Sequence, residues 1–478
     1  MKKIFSLYAC LLLVAIAFAQ QPEFAEKRSV KEQLANRPPM GWNSYNCYGA
    51  AITEEEVKAN AKYMAEKLKD KGWEYIVVDY CWSYPHPPGS IQNNPPQFRL
   101  KDNAPVPWLA MDEFGRLLPD PRKFPSAANG NGFKELADYV HSLGLKFGIH
   151  VMRGIPRQAV WAKSPIKGAE GVDASMIADT SSICPWLNQM YGVDMNKKGA
   201  QAYYNSLLEL YSEWGVDFIK MDDIDLKENY PYRGEEAYAF RKAIDQIERP
   251  MVLSLSLNMK LENKDHVRAC GDMWRISKDF WDDWKLLKQQ FELAEQWATV
   301  SGPNSWPDAD MLQLGWISRR GPHGPERESN FTKDEQRTHM SFWAIMRSPL
   351  MMGGDMPDNS PFVESLMTNE EVIALNQQGI MSKQLYRKDD LVVWVSRMPE
   401  TGNYNVGFFN LSDKTQDMTI SWKELGIKSN CTIRNLWSQT DIGSFSQSFT
   451  IKVNAHGSEL FTFSPKSKAD RKIPDKNI

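Results

Sequence analysis

The stretch VDFIKMDDID, residues 216–225, sets four aspartates and a lysine into what otherwise has the apolar character of a buried strand. Carboxylates so placed can act as nucleophiles or as general acids and bases when a second group is held opposite them. If Val216 to Met221 form a strand, Asp222 stands at its end, while Asp217 stands at its start and is expected to be structural. Side chains alternate along a strand, so Asp222 and Asp223 point to opposite sides and only one of them can face a shared site. Lys220, two residues earlier, shares the side of Asp222. An ammonium there keeps a carboxylate ionised, as a nucleophile needs, although a buried Lys–Asp pair can also serve packing alone. Partners stand elsewhere: Asp79 closes the run YIVVD, and Arg275, Ser277 and Asp279 follow one another in WRISKDFWDD. Two carboxyl groups at one centre are what glycosidic-bond cleavage requires, one to protonate the leaving oxygen and the other to attack or to activate water. The seven histidines are scattered, and HExxH, paired CxxC and GxSxG are all absent. Zinc-hydrolase and serine-hydrolase chemistry therefore have no motif behind them, and no cofactor or metal is called for.

Positioning such groups falls to a repeated unit of amphipathic helix, glycine and apolar strand. Thr53-Glu54-Glu55-Glu56 has the form of a capping box, Val57, Ala61, Met64 and Leu68 follow on one face, and Gly72 precedes the strand Tyr75–Asp79. GFKELADYVHSLG leads into LKFGIHVM with Gly144 at the joint, and AQAYYNSLLELYSEWG leads into VDFIKMDD with Gly215 at the joint. PMVLSLS (250–256), MWRIS (273–277), SWPDADML (305–312) and SPLMMGG (348–354) are further strands, and the opening PPMGWNSY makes eight. Eight strands alternating with helices predict an α/β fold, a (β/α)8 TIM barrel over residues 37–378, with catalytic groups at the strands' C-terminal ends. An open doubly wound sheet is disfavoured because no glycine-rich phosphate loop follows the first strand. From about Leu385 the segments become short, β-rich and separated by polar turns, which predicts a small antiparallel β-sandwich over 384–465. The polar residues 466–478 are expected to fray.

The 478 residues suit one large domain plus a smaller one, and a net charge of −3 gives no electrostatic case for nucleic acid or an anionic membrane. Seventeen tryptophans are a high count, and flat aromatic faces suit the apolar faces of sugars, although most are expected in the core. The start MKKIFSLYACLLLVAIAFAQQ pairs two lysines with an apolar run too short for a membrane span. It predicts a secretory leader cut after Ala19 and a soluble exported protein, whose compartment permits disulfides. Five cysteines then remain, an odd number, so at least one is free or pairs between chains.

RPPMGWNSYNCYG, YIVVDYCW, GLKFGIH, GVDFIKMDD, WRISKDFWDDW, WPDADML and SPLMMGGD, in this order, resemble glycoside hydrolase family 27, the α-galactosidase and α-N-acetylgalactosaminidase family. The match runs from about Arg37 into the C-terminal region, whose NAHGSELF also fits. The resemblance implies that Asp222 of Lys220-Met221-Asp222 is the nucleophile and Lys220 a sugar ligand. It also implies that Asp279 is the general acid/base and Arg275 a ligand of a sugar hydroxyl. The mechanism would retain anomeric configuration through two displacements. Departures fall on the sugar. The family commonly carries two consecutive aspartates at the second strand for the 4- and 6-hydroxyls, and this chain has Asp79-Tyr80. Tyr45 stands where a tryptophan is usual, His150 where a tyrosine is usual, and Ser256 where α-galactosidases carry a glutamate that reads the 2-position. Release of terminal α-D-galactose from oligo- or polysaccharides is the leading expectation. β-L-Arabinopyranoside, which suits a Tyr80 that shrinks the space for C6, and α-N-acetylgalactosaminide are the alternatives. An inactivated, sugar-binding barrel is disfavoured because Lys220, Asp222, Arg275 and Asp279 are all present. The Pro- and Asn-rich stretch 84–108 is expected to shape the aglycone subsites, and Cys47 and Cys81, just past adjacent strand ends, are expected to form a disulfide.

Overall fold

The computed structural model describes residues 34–84, 96–99, 105–107, 109–225, 230–321 and 323–474. The expected leader and most of the 84–108 stretch lie outside them; of that stretch, Pro96–Arg99 and Pro105–Pro107 pair as an antiparallel hairpin.

Each glycine-marked repeat becomes a helix and a strand. In chain order these are β1 (Met40–Asn43), α1 (Glu54–Lys67), β2 (Tyr75–Val78), α2 (Lys134–Ser142), β3 (Lys146–Met152), α3 (Ala200–Glu213), β4 (Phe218–Asp222) and α4 (Gly234–Gln246). They continue as β5 (Val252–Leu255), α5 (Lys264–Cys270), β6 (Met273–Arg275), α6 (Trp284–Trp297), β7 (Trp306–Asp308), α7 (Lys333–Met346), β8 (Leu350–Met352) and α8 (Glu370–Gln378). The Glu56 carboxylate accepts from the Thr53 N–H at 3.0 Å at the start of α1, and Val57, Ala61, Met64 and Leu68 are all buried. Gly144 and Gly215 take positive φ, +75° and +84°, a region that favours glycine and lets the chain turn from helix into strand.

The strands form one parallel sheet in the order β7-β6-β5-β4-β3-β2-β1-β8. Past β7 the chain runs on to Leu312, which bridges Met352 in parallel and brings the two edges together, giving a (β/α)8 barrel. Asp217 closes its N-terminal side, bonded to the Phe147 N–H at 2.9 Å, His141 at 2.7 Å and Arg249 at 2.6 Å, the structural role expected of it. Between β3 and α3 the chain adds a three-stranded antiparallel sheet built from Ile155–Pro156, Met190–Val193 and Ala178–Ile183.

The C-terminal region holds β9 (Ile380–Lys388), β10 (Leu391–Arg397), β11 (Tyr404–Asn410), β12 (Gln416–Ser421), β13 (Cys431–Asn435), β14 (Thr440–Phe445), β15 (Ser448–Val453) and β16 (Ser458–Pro465). A six-stranded antiparallel sheet, β9-β10-β11-β16-β13-β14, faces the pair β12-β15 across a core of Val393, Phe408, Ile420, Phe449, Phe461 and Phe463. The tail is held rather than frayed as far as Arg471: the Asp470 carboxylate accepts from the Ser429 N–H at 2.8 Å, and Arg397 donates to the Arg471 carbonyl at 3.1 Å.

The expected Cys47–Cys81 disulfide is not formed; both are free and buried. They face different surroundings: Cys47 lies in the main core near Arg319 and Asp355, and Cys81 lies in a separate cluster with Tyr80, Tyr84 and Cys184 near Lys123. Among the described residues no helix is long and apolar enough to cross a membrane.

Candidate active site

Strand ends at the C-terminal rim bring the candidate residues to one cavity of about 580 Å³. It is lined by Tyr45, Asp79, Tyr80, His150, Lys220, Asp222, Ser256 and Asp279, together with Pro185, Trp186, Leu257 and Lys278. The first eight were all expected from the sequence. Parallel registry explains their convergence, since His150 on β3 and Ser254 on β5 both pair with Lys220 on β4.

Asp79, just past β2, accepts from Asn43 at 2.8 Å, from Lys220 at 2.9 Å and, through its other oxygen, from the Tyr80 N–H at 2.8 Å. Burial pushes its carboxyl up, but Lys220 first, then His150 and the two neutral donors, outweigh burial and hold it well below the usual range. Lys220 was expected to ionise Asp222, yet its ion pair is with Asp79, and His150 is the group at Asp222, its Nε2 3.2 Å from Oδ2. The other Asp222 oxygen accepts from the Asp223 N–H at 2.7 Å. Burial raises the Asp222 carboxyl, and His150 first, then Lys220 and the Asp223 N–H, bring it below its ordinary value. The carboxylate is thus ionised as a nucleophile requires, although mainly by a residue other than the one the sequence suggested.

Asp223 turns the other way, as alternation demands. It pairs with Arg153 at 2.9 Å and bonds to Tyr230, and Arg153 also reaches Glu236 at 3.0 Å. Burial pushes the Asp223 carboxyl up to about 6 against the pull of Arg153. Asp225 accepts from Asn263 at 3.0 Å and pairs with Lys260 at 3.5 Å. Both brace the rim. Beyond the Asp223–Arg153–Glu236 network lies a larger cavity, about 820 Å³, that holds none of the expected site residues.

Asp279 follows β6 and keeps 51% of its side chain exposed, against 15% for Asp222. Arg275 is the one expected residue outside the cavity lining. It is buried, 3.4 Å from Asp279 and 2.7 Å from Asp310, and holds the loop behind Asp279. Burial pushes the Asp310 carboxyl up, opposed by Arg275. Neither Asp310 nor Asn43 was expected at the site. Asp310 follows the seventh strand in WPDADML, and a carboxylate just past a strand's C-terminal end was the available signal for it. Asn43 ends β1 beside Asp79, and nothing local marks it.

Tyr80 lies against Tyr45, ring centroids 5.2 Å apart, and against His150 at 5.9 Å, both edge-on, while Lys220 sits 5.7 Å over the Tyr45 ring. Tyr80 therefore faces the cavity instead of turning away. The Ser256 hydroxyl is buried at the same cavity without a hydrogen-bond partner.

Residues 188–378 match a family model described as alpha galactosidase A, and residues 388–463 match the alpha galactosidase C-terminal beta sandwich domain. A GH27 β-L-arabinopyranosidase of Geobacillus stearothermophilus, crystallised with arabinose, superposes with a TM-score of 0.86 at 49% identity over 91% of this chain and 99% of its own. A Bacillus halodurans C-125 protein with a provisional α-N-acetylgalactosaminidase assignment gives a TM-score of 0.79 at 45% identity over 90% and 98%. Alpha-galactosidase A of Cellvibrio japonicus is 28% identical over 91% of this chain and 94% of its own.

Proposed function

Because the chain belongs to glycoside hydrolase family 27, we propose that this glycoside hydrolase is a retaining exo-enzyme that removes terminal β-L-arabinopyranose, with terminal α-D-galactose as its weaker substrate. In the first step Asp222 attacks C1 while Asp279 protonates the departing oxygen, so the C1–O bond breaks as the Asp222–C1 ester forms. In the second, Asp279 takes a proton from water, whose oxygen bonds C1 as the ester breaks. Lys220 and Asp79 hold sugar hydroxyls on the cavity floor. The lysine-marked leader supports export, so the substrates would be glycan ends outside the cytoplasm.

The observation that carries the sugar choice is Tyr80. It stands where a second aspartate would receive the 6-hydroxyl, and its ring, seated between Tyr45 and His150, faces that space. L-Arabinopyranose has the ring stereochemistry of galactose without C6. A pocket with a ring in place of a hydroxyl acceptor leaves that hydroxyl unpaired and disfavours the hexose. The relative that shares 49% of the sequence is a β-L-arabinopyranosidase, which points the same way. α-Galactosidase is the second reading, favoured by the family model and the Cellvibrio relative.

Nitrophenyl glycosides separate them. β-L-Arabinopyranoside should be turned over with a kcat/KM roughly tenfold or more above that of α-D-galactoside, and Tyr80→Asp should narrow or invert the ratio. A wild-type preference for the galactoside overturns the first reading. NMR should show the β-anomer of arabinose released first. Asp222→Asn should abolish turnover with the fold kept, and Asp279→Ala should stall at its second step on nitrophenyl substrates and be revived by azide.

A further inference from the structure

We propose that the turn Cys184-Pro185-Trp186-Leu187 builds the aglycone subsite, with the Trp186 indole as the platform on which a leaving sugar or aromatic ring stacks and Lys278 as its polar wall. The inference rests on the Asp222/Asp279 pair of the preceding reading, but on neither choice of sugar.

The cavity has a depth gradient that fixes which end receives the leaving group. Asp79, His150, Ser256 and Tyr80 are buried on its floor, while Asp279 and Lys278 are exposed at its mouth. Asp279 must give its proton to the departing oxygen, so whatever is attached to that oxygen lies toward the mouth. Two lining residues remain there besides Lys278 and Asp279, namely Pro185 and Trp186.

The turn is shaped to present that indole. Cys184 and Leu187 are buried in the cluster that also contains Tyr80, Tyr84, Met152 and Met190, and the Trp186 and Leu187 N–H groups face the Cys184 sulfur. Both flanks are therefore anchored against the wall of the sugar site, while Trp186 itself stays 36% exposed. Of the exposed large apolar side chains among the described residues, Trp186 is the one that lines the catalytic cavity. A flat indole kept in water beside an acid/base matches the C–H face of a pyranose or an aryl ring, and the pre-ordered turn lowers the entropic cost of engaging it. The expected aglycone stretch 84–108 lies mostly outside the described residues; the described wall at this end comes from the turn that joins Ala178–Ile183 to Met190–Val193 and from Lys278.

The test uses the full chain and the best substrate of the glycoside panel, whatever its sugar, so that a wrong sugar defeats only the preceding reading. Trp186→Ala should lower kcat/KM for the nitrophenyl glycoside, and for a disaccharide of the same sugar, by about tenfold, the scale of one lost aromatic contact. The methyl glycoside should lose far less. Inhibition by the free monosaccharide should not change, nor should kcat on a dinitrophenyl glycoside whose second step is rate-limiting, because the aglycone has left by then. Trp186→Phe should restore most of the loss, and Trp186→Leu, with bulk but no flat face, should not. An equal loss on the methyl glycoside, a parallel change in monosaccharide inhibition, or no change on any substrate would overturn the proposal.

Discussion

Asp222 accepts from the Asp223 N–H and from the His150 imidazole, and these donors have different origins. The first comes from the chain's own turn; the second comes across from β3 and can be removed by mutation. The Asp222 carboxyl lies below its ordinary value although burial opposes this, so the anion is favoured in the folded state. Such a group adds stability above its unfolded pKa and loses that contribution as pH falls through the folded one. In catalysis the same sign means that the acid limb of kcat/KM lies low. His150→Asn removes the imidazole that pulls the Asp222 carboxyl down, so the limb should move to higher pH, and activity at neutral pH should fall less than activity in acid. A pH–rate profile that keeps its acid limb would show that Lys220 and the Asp223 N–H suffice. Asp79→Asn tests the neighbouring pair, because it leaves the Lys220 ammonium buried opposite a neutral group. The expected cost is about 3 kcal/mol in denaturant unfolding, the scale for a buried pair that loses one partner.

At the level of elements, much of the barrel was legible because its repeat is local. Helical periodicity marks the helices, a capping box opens α1, left-handed glycines (Gly72, Gly144 and Gly215) stand before β2, β3 and β4, and all eight anticipated strands exist. Their ends were less legible. SWPDADML has the pattern of a strand to residue 312, but the ladder stops at Asp308, and Asp310 takes φ +84°, a turn no periodicity announces. The three-stranded insert between β3 and α3 carries no such mark, since its strands are only two, six and four residues long and their ladder is broken by a register shift. Lys220 lies on the expected side of β4 and does lower Asp222, but only after His150, and its ion pair is with Asp79, because alternation ranks residues of one strand and says nothing about an acid just past β2. Gly215 tests the local part of this account. With φ +84° and a Cβ position 3.1 Å from the His141 ring, Gly215→Ala should cost about 1–2 kcal/mol. Activity per folded molecule should be unchanged, because the joint lies at the barrel end opposite the cavity. A denaturant midpoint equal to that of the wild type would show that this glycine is not needed for the turn.

Across the whole molecule the two domains share apolar packing. Val392, Trp394, Phe409, Leu411 and Leu460 of the sandwich belong to the same buried cluster as the barrel's own core, and Phe342 of α7 meets Phe409 at 5.5 Å and Trp394 at 5.4 Å between ring centroids. Polar contacts fix the angle: Arg434 pairs with Glu371 at 2.7 Å, Asn369 donates to the Leu436 carbonyl at 2.9 Å, and His456 stacks on Trp284 at 4.2 Å while its Nδ1 lies 2.7 Å from Glu335. Domains joined by a large apolar interface lose the independence that a polar one would leave them. Phe409→Ala removes a ring that touches both Phe342 and Phe291, so it should cost about 3–5 kcal/mol. It should lower barrel and sandwich together in a single calorimetric transition, with loss of activity tracking the same melt. A chain ended at residue 378 would expose α7's aromatic face to water and should aggregate rather than retain activity. Two resolved transitions, with only the smaller shifted by Phe409→Ala, would mean that the sandwich rides on the barrel without supporting it. Phe342 would then owe its burial to the barrel alone, and the shortened chain should stay folded and active.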